Sequence, residues 1–171
     1  LALSLCTSQL WADPIRQDNP LCPPTSTSSL QYQAPETFPE DQKQDTRISA
    51  IQVENISADT TLFKGQVLIE RDQLRVQADE VELDRTQQLI QLRNNIQINS
   101  SNMAIAADDG WLDLDNNQGE FNHTRYLIPD PGFQGATPHL SLKDKQQTLL
   151  IDSSFSSCPE NKRDWQLNTS S

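Results

Sequence analysis

The chain is short of basic residues, histidine, aromatics and long apolar runs, and each shortage removes a class of function. Its 13 Lys and Arg stand against 24 Asp and Glu, a formal net charge of −11 over 171 residues. Nucleic-acid phosphates need a basic surface, so the balance argues against a nucleic-acid partner. The same balance argues against simple charge-driven docking on anionic lipid. The excess acid reads most simply as a solubilising surface. The two histidines, His123 and His139, each sit beside a turn signal, with no second His or Cys at ligand spacing. A surface or hydrogen-bonding role outweighs a metal or catalytic one. No nucleophile elbow, P-loop or dinucleotide fingerprint occurs. No stretch is long and apolar enough for a membrane-spanning helix. With aromatics at 6%, a core must come from Val, Ile and Leu.

The acidic residues offer little chemistry. Asp113-x-Asp115-x-Asn117-x-Gly119 has the look of a calcium loop, but an EF-hand needs Gly at position six and Glu at position twelve. Gln118 and Thr124 stand there, so a plain turn is the better reading. Asp79/Glu80 and Asp108/Asp109 suggest a glycosidase pair, yet they fall beside strand ends at equivalent places in a repeat. Solvated edges explain them better. The expectation is therefore no enzyme, no metal and no cofactor. Asn-x-Ser/Thr occurs at Asn55, Asn99, Asn122 and Asn168, and matters only in a eukaryotic secretory route.

Residues 1–12 form a short apolar stretch ending at Ala12, read as the remnant of a secretory signal peptide. Leu5 is too large for a lipoprotein cleavage site before Cys6. Residues 13–46 hold Pro14, Pro20, Pro23, Pro24, Pro35 and Pro39, six of the ten prolines. Proline fixes φ and removes donors, so this stretch is expected to be a flexible extended tether. From Arg47 alternation takes over. Val67/Ile69, Leu74/Val76/Ala78, Val81/Leu83, Ile96/Ile98, Met103/Ile105/Ala107 and Leu112/Leu114 each alternate with polar residues. Period two makes a strand with one dry and one wet face. Turn signals lie at 70–73, 93–95, 99–102 and 115–119. A loop is expected over 129–138, with strands resuming at His139–Leu142 and Thr148–Ile151, and a last one through Phe155.

A weak repeat underlies the pattern. Residues 64–79 align on 93–108 at an offset of 29, matching Val67 with Ile96, Ile69 with Ile98, Leu74 with Met103 and Val76 with Ile105. Beyond that a two-residue insertion, Asp109-Gly110, is read as shifting Val81-x-Leu83-Asp84 onto Leu112-x-Leu114-Asp115. Repeats of this length stack to bury a shared face. The fold class expected is all-β: an elongated open jelly roll, a V-shaped stack of short antiparallel strands over residues 47–158.

Two Cys-Pro sites frame the stack, at Cys22-Pro23-Pro24 and Ser157-Cys158-Pro159, and Asp164-Trp165-Gln166-Leu167 follows the second. In an exported protein two such cysteines suit a structural disulfide. With this ending, the chain resembles the OstA family, the N-terminal periplasmic domains of lipopolysaccharide-assembly proteins of the LptD type, over about residues 13–171. The resemblance implies a non-enzymatic domain on the periplasmic side of the Gram-negative outer membrane. It implies that lipopolysaccharide arrives from the bridge protein LptA, which adds a strand to an exposed edge. It also implies a following barrel plugged by the lipoprotein LptE, with residues 159–171 as the linker toward it. In that family both cysteines bond to cysteines near the end of the barrel, positions that Cys22 and Cys158 match. A self-contained module would instead bond Cys22 to Cys158.

The apolar faces then carry the function. Val53, Val67, Ile69, Leu74, Val76, Val81, Leu83, Ile96, Ile98, Met103, Ile105, Leu112 and Leu114 are the expected wall of an acyl-chain groove. Each buried methylene is worth about 0.8 kcal/mol, so a few chains suffice for firm binding. The first strand after the tether, with Ile48, Ala50 and Gln52, is the expected docking edge. Two other readings stay open: a structural or adhesive secreted β-solenoid with a closed dry core, and, more weakly, a polysaccharide-active enzyme.

Overall fold

Alternating residues from Arg47 onward build one long antiparallel sheet. The computed structural model describes residues 30–43, 45–143, 147–158 and 165–170. The signal-peptide reading of 1–12, the first part of the tether and Cys22 lie outside the described residues. The strands are β1 (Arg47–Ser49), β2 (Gln52–Asn55), β3 (Thr60–Arg71), β4 (Leu74–Asp84), β5 (Leu89–Ser100), β6 (Ala104–Asp113), β7 (Gln118–Ile128), β8 (Phe133–Leu142), β9 (Thr148–Ile151), β10 (Ser154–Phe155) and β11 (Leu167–Asn168). From β3 to β9 each pairs with its sequence neighbour, and β1 and β2 share the far side of β3. The helical content of the described residues is one 3₁₀ turn, Glu40–Gln42.

The long strands are bent in the middle. Register slips between Lys64 and Val67, Gln77 and Glu80, and Arg93 and Ile96. Gly65, Gln66, Asn94, Asn95 and His123 take positive φ at these places. Left-handed residues and bulges turn a strand sharply without ending it. The 93–95 signal is therefore a bend inside β5, not a hairpin. The true turn before β5 is Asp84–Gln88, which the sequence reading passed over.

The bends fold the sheet onto itself. Arg71 ends β3, and Asp115 lies in the β6–β7 turn at the opposite end of the strands. In a flat sheet they would stand roughly 35–40 Å apart, from the rise along a strand and the spacing between strands. Here the Arg71 guanidinium reaches the Asp115 carboxylate at 3.1 Å and the Leu114 carbonyl at 2.9 Å. The cross-section is a V whose two tips nearly meet. Rows of side chains cross the strands on its inner face. One runs Phe63, Val81, Leu92, Gly110, Phe121, Leu140 and Leu150; another runs Ile48, Ile69, Val76, Ile98, Ile105, Tyr126 and Gly135. Gly110 is where the Phe121 ring sits, since a Cβ there would lie 2.4 Å from Phe121 Cδ1.

Several expectations need correction. The repeat has no insertion. Asp84 Oδ1 accepts from Thr86 N and Gln87 N, and Asp113 Oδ1 accepts from Asp115 N and Asn116 N in the same way. The offset of 29 thus continues, and Gly110 takes the place of Val81. The loop is only Pro129–Gly132, and β8 starts at Phe133. Pro138 is tolerated because it falls at the bend, where the β7–β8 ladder skips a pair.

The second half of the expected tether is docked. Gln33 N donates to Asn99 Oδ1, Tyr32 Oη to Ser101 O, Phe38 N to Asp72 Oδ1 and Gln73 N to Glu36 O. Leu30 and Phe38 are buried, and Arg47 stacks on the Phe38 ring at 4.3 Å. Apolar side chains spaced among the prolines hold the strap down. Part of the expected linker is docked as well, since β11 pairs with β10.

Candidate lipid groove and docking edges

Most of the expected wall residues converge on the inside of the V. Val67, Ile69, Val76, Val81, Ile96, Ile98, Ile105, Leu112 and Leu114 are buried in one cluster, with Leu74, Leu83 and Met103 packed half-buried against it. Val53 is not among them. It is 57% exposed, because β2 has no outer neighbour among the described residues. The sequence reading missed Phe63, Ile90, Leu92, Phe121, Tyr126 and Leu140. Ile90 and Leu92 do alternate, with Gln91 and Arg93. Phe121 and Tyr126 are out of phase only because the His123 bend intervenes. The two arms pack against each other, so the interior is closed along most of its length.

It opens at the seam between the tips. A cavity of about 320 Å³ lies there, lined from one tip by Asp72, Leu74, Ile98 and Met103 and from the other by Leu112 and Leu142. Its floor is aliphatic and its rim carries Gln73, Ser100, Ser101, Asn102, Asn117 and Thr148. The geometry suits an alkyl chain held inside with a polar group at the surface.

The N-terminal edge is open and apolar. Ile51 is 76% exposed, Ile56 55%, and Val53 lies between them. Among the described strands β1 and β2 pair only with β3, through Ile48 opposite Ile69 and Gln52 opposite Lys64. The expected edge strand is broken between Ser49 and Gln52, where Ile51 N donates to Gly65 O. Ile48 and Ala50 pack inward against the core, and Gln52 stands exposed on β2.

The C-terminal side is fixed over one half only: β9 has no outer neighbour among the described residues and leaves Leu149 48% exposed, while Ser154–Ser156 is stitched onto the first half of β8. Gln134 and Ser156 exchange backbone hydrogen bonds, Ala136 N donates to Ser154 Oγ, and Tyr126 Oη donates to Ser154 O at 2.7 Å. That carbonyl sits over Gly135, where a Cβ would lie 1.9 Å from it. Phe155 stacks between Phe133 and Trp165, at 4.5 and 6.4 Å. Cys158 is fully buried and disulfide-bonded, and Cys6 and Cys22 lie outside the described residues.

The acidic residues are occupied locally. Asp79 accepts from Asn95, Asp109 accepts from Asn122, and Asp108 faces the exposed His123 at 3.6 Å. His139 Nδ1 lies 3.1 Å from Asn122 Oδ1. Asp113 caps its own turn, and those hydrogen bonds, with Arg71 nearby, hold its carboxyl below the ordinary value of 3.8. Among the described residues no three His, Cys, Asp or Glu gather as a metal set. No described helix is long and apolar enough to cross a membrane, which says nothing of a β-barrel.

Similarity to known proteins narrows the class. No family model matches the chain. The LPS-assembly protein LptD of Idiomarina loihiensis is 30% identical over 131 residues, covering 74% of this chain and 17% of that protein. LptD of Vibrio cholerae is 23% identical over 172 residues, covering 100% and 22%. The chain is an OstA-like domain of the LptD family. It spans less than a quarter of the length of these relatives. The crystal structure of LptH, the LptA-homologous periplasmic component of the lipopolysaccharide transport device of Pseudomonas aeruginosa, superposes with a TM-score of 0.57 at 10% identity. It covers 66% of this chain and 86% of LptH, a likeness of fold. LptD relatives and the LptH likeness together mark the all-β V as the jelly roll expected from the sequence.

Proposed function

We propose that this domain is a non-enzymatic conduit for lipopolysaccharide on the periplasmic side of the outer membrane. Acyl chains run between the arms of the V, along the apolar rows, and pass toward an outer-membrane barrel. One observation carries the reading: a continuous apolar interior, some eight strands long, that opens at a seam and ends at an unpaired apolar edge. A purely structural solenoid has no use for Ile51, Val53 and Ile56 in solvent. An LptA-type bridge protein adding its strand to β1 and β2 would cover them, and main-chain ladder bonds would extend the interior across the junction. The family relationship supports this partner, LptE as the plug of the barrel, and the cell-envelope location. Cys158 is already disulfide-bonded here, so the bonds to a barrel that the family resemblance implies for Cys158 and Cys22 would form by exchange of that disulfide.

The test is a photo-cross-linking residue at Ile69, Ile98 or Ile105 during lipopolysaccharide transport in cells. These should capture lipopolysaccharide, and Glu82 and Gln97 on the outer face should not. Equal labelling of both faces rejects the conduit.

A further inference from the structure

The seam between the tips differs from the rest of the V. Along the sheet, neighbouring strands are joined by ladder hydrogen bonds. The sheet runs as an open path from β1 to β9, so no ladder joins one tip to the other. What crosses is a side chain. Arg71 extends from the end of β3, its side chain only 13% exposed, and both guanidinium Nη atoms reach Asp115 Oδ1 while Nη1 also reaches Leu114 O. The seam cavity, with its aliphatic floor, borders this crossing, and Asp72 and Asn117 belong to its rim.

The two lips are not equally fixed. The lip with turns 71–74 and 99–102 is held by the docked strap, through Tyr32, Gln33, Glu36 and Phe38. The opposite turn, Asp113–Asn117, is held by its own Asx hydrogen bonds, by Leu114 N donating to Gln88 O in the neighbouring turn, and by Arg71. Separating the lips breaks one partly exposed ion pair and a hydrogen bond to a carbonyl and uncovers part of the Leu112 and Leu114 side chains, with no ladder to break.

We infer that the seam is a lateral entrance for alkyl chains and that Arg71 with Asp115 is the clasp that gates it. This rests on the conduit reading, since it names where chains enter the interior. A polar head group would stay at the Ser100–Asn102 and Asn117 rim while the chain passes between Leu74 and Leu142. Arg71 is thus a positioning residue that sets how often the lips part.

The experiment is stopped-flow uptake of the apolar dye N-phenyl-1-naphthylamine by the purified chain. Arg71→Gln and Asp115→Asn should each speed uptake about fivefold, the factor that loss of one such pair allows. Arg93→Gln, which removes pairs to Glu80 and Glu82 on the outer face, should leave the rate unchanged. Raising salt from 50 to 500 mM should speed the wild type by screening the pair, and should not speed Arg71→Gln. A merely structural arginine would not give that salt dependence. Should Arg71→Gln fail to fold, Asp115→Asn at an exposed turn carries the same test. Wild-type rates in both clasp variants, or equal acceleration by Arg93→Gln, overturn the gate while leaving the conduit intact. A wild type that takes up no dye overturns both.

Discussion

The two ends of the sheet are built from the same strand chemistry and finished differently. At the N-terminal edge two short strands leave Ile51, Val53 and Ile56 in solvent. At the C-terminal edge, Ser153–Cys158 folds back over β8, fixed by Tyr126, Gln134, an aromatic cluster and a disulfide-bonded Cys158. A lone protein gains nothing from an unpaired apolar edge, which invites association. β9 also lacks an outer neighbour among the described residues, with Leu149 exposed, so the contrast is between an edge left open along its length and one fixed over its first half.

The comparison breaks first at Gly135. Ala there forces its Cβ into the Ser154 carbonyl and within 2.7 Å of the Tyr126 hydroxyl. Backbone cannot yield as a flexible side chain does, so urea unfolding should show a loss of about 3 kcal/mol or more. Tyr126→Phe keeps the ring and removes one hydrogen bond to Ser154 O, so it should cost about 1 kcal/mol in the same measurement. The open edge should respond otherwise. Ile51→Ser with Val53→Ser should change stability by less than about 0.5 kcal/mol, because both side chains already face water. It should nonetheless weaken pull-down of an LptA-type partner, and unchanged pull-down would place the docking edge elsewhere. The smallest effect belongs to pH. Asp113 has a lowered folded pKa, so its contribution is present above the ordinary value of 3.8 and is lost as pH falls through the lower folded value. Asp113→Asn should flatten the acid limb of the stability curve slightly, read by thermal melts between pH 5 and pH 2.

The sequence made the strands legible because alternation is a local signal. Val67/Ile69 and Ile96/Ile98 needed only their neighbours to be placed on one face. The V was not legible in the same way. Its bends depend on left-handed backbone at Gly65-Gln66 and Asn94-Asn95, and the asparagines read equally well as a hairpin turn. Gly110 hid the unbroken repeat, since a glycine facing Phe121 carries no hydrophobic mark. The strap was misjudged for a related reason. Proline argues for extended backbone, and it does not say whether Leu30 and Phe38 find a surface to bury against. The seam and its clasp join residues 44 apart in sequence at opposite ends of the strands, so nothing local foretells them.

In the proposed conduit, lipid held inside the V travels from the β1–β2 end toward the β8–β9 end. Photo-cross-linkers at Ile69, near the first end, and at Leu140, near the second, test it in a timed delivery from a lipopolysaccharide-loaded bridge protein. Capture at Ile69 should rise first and capture at Leu140 should follow, with Gln97 on the outer face silent throughout. Capture at Leu140 before Ile69, or at Gln97 as strongly as at either, would contradict it.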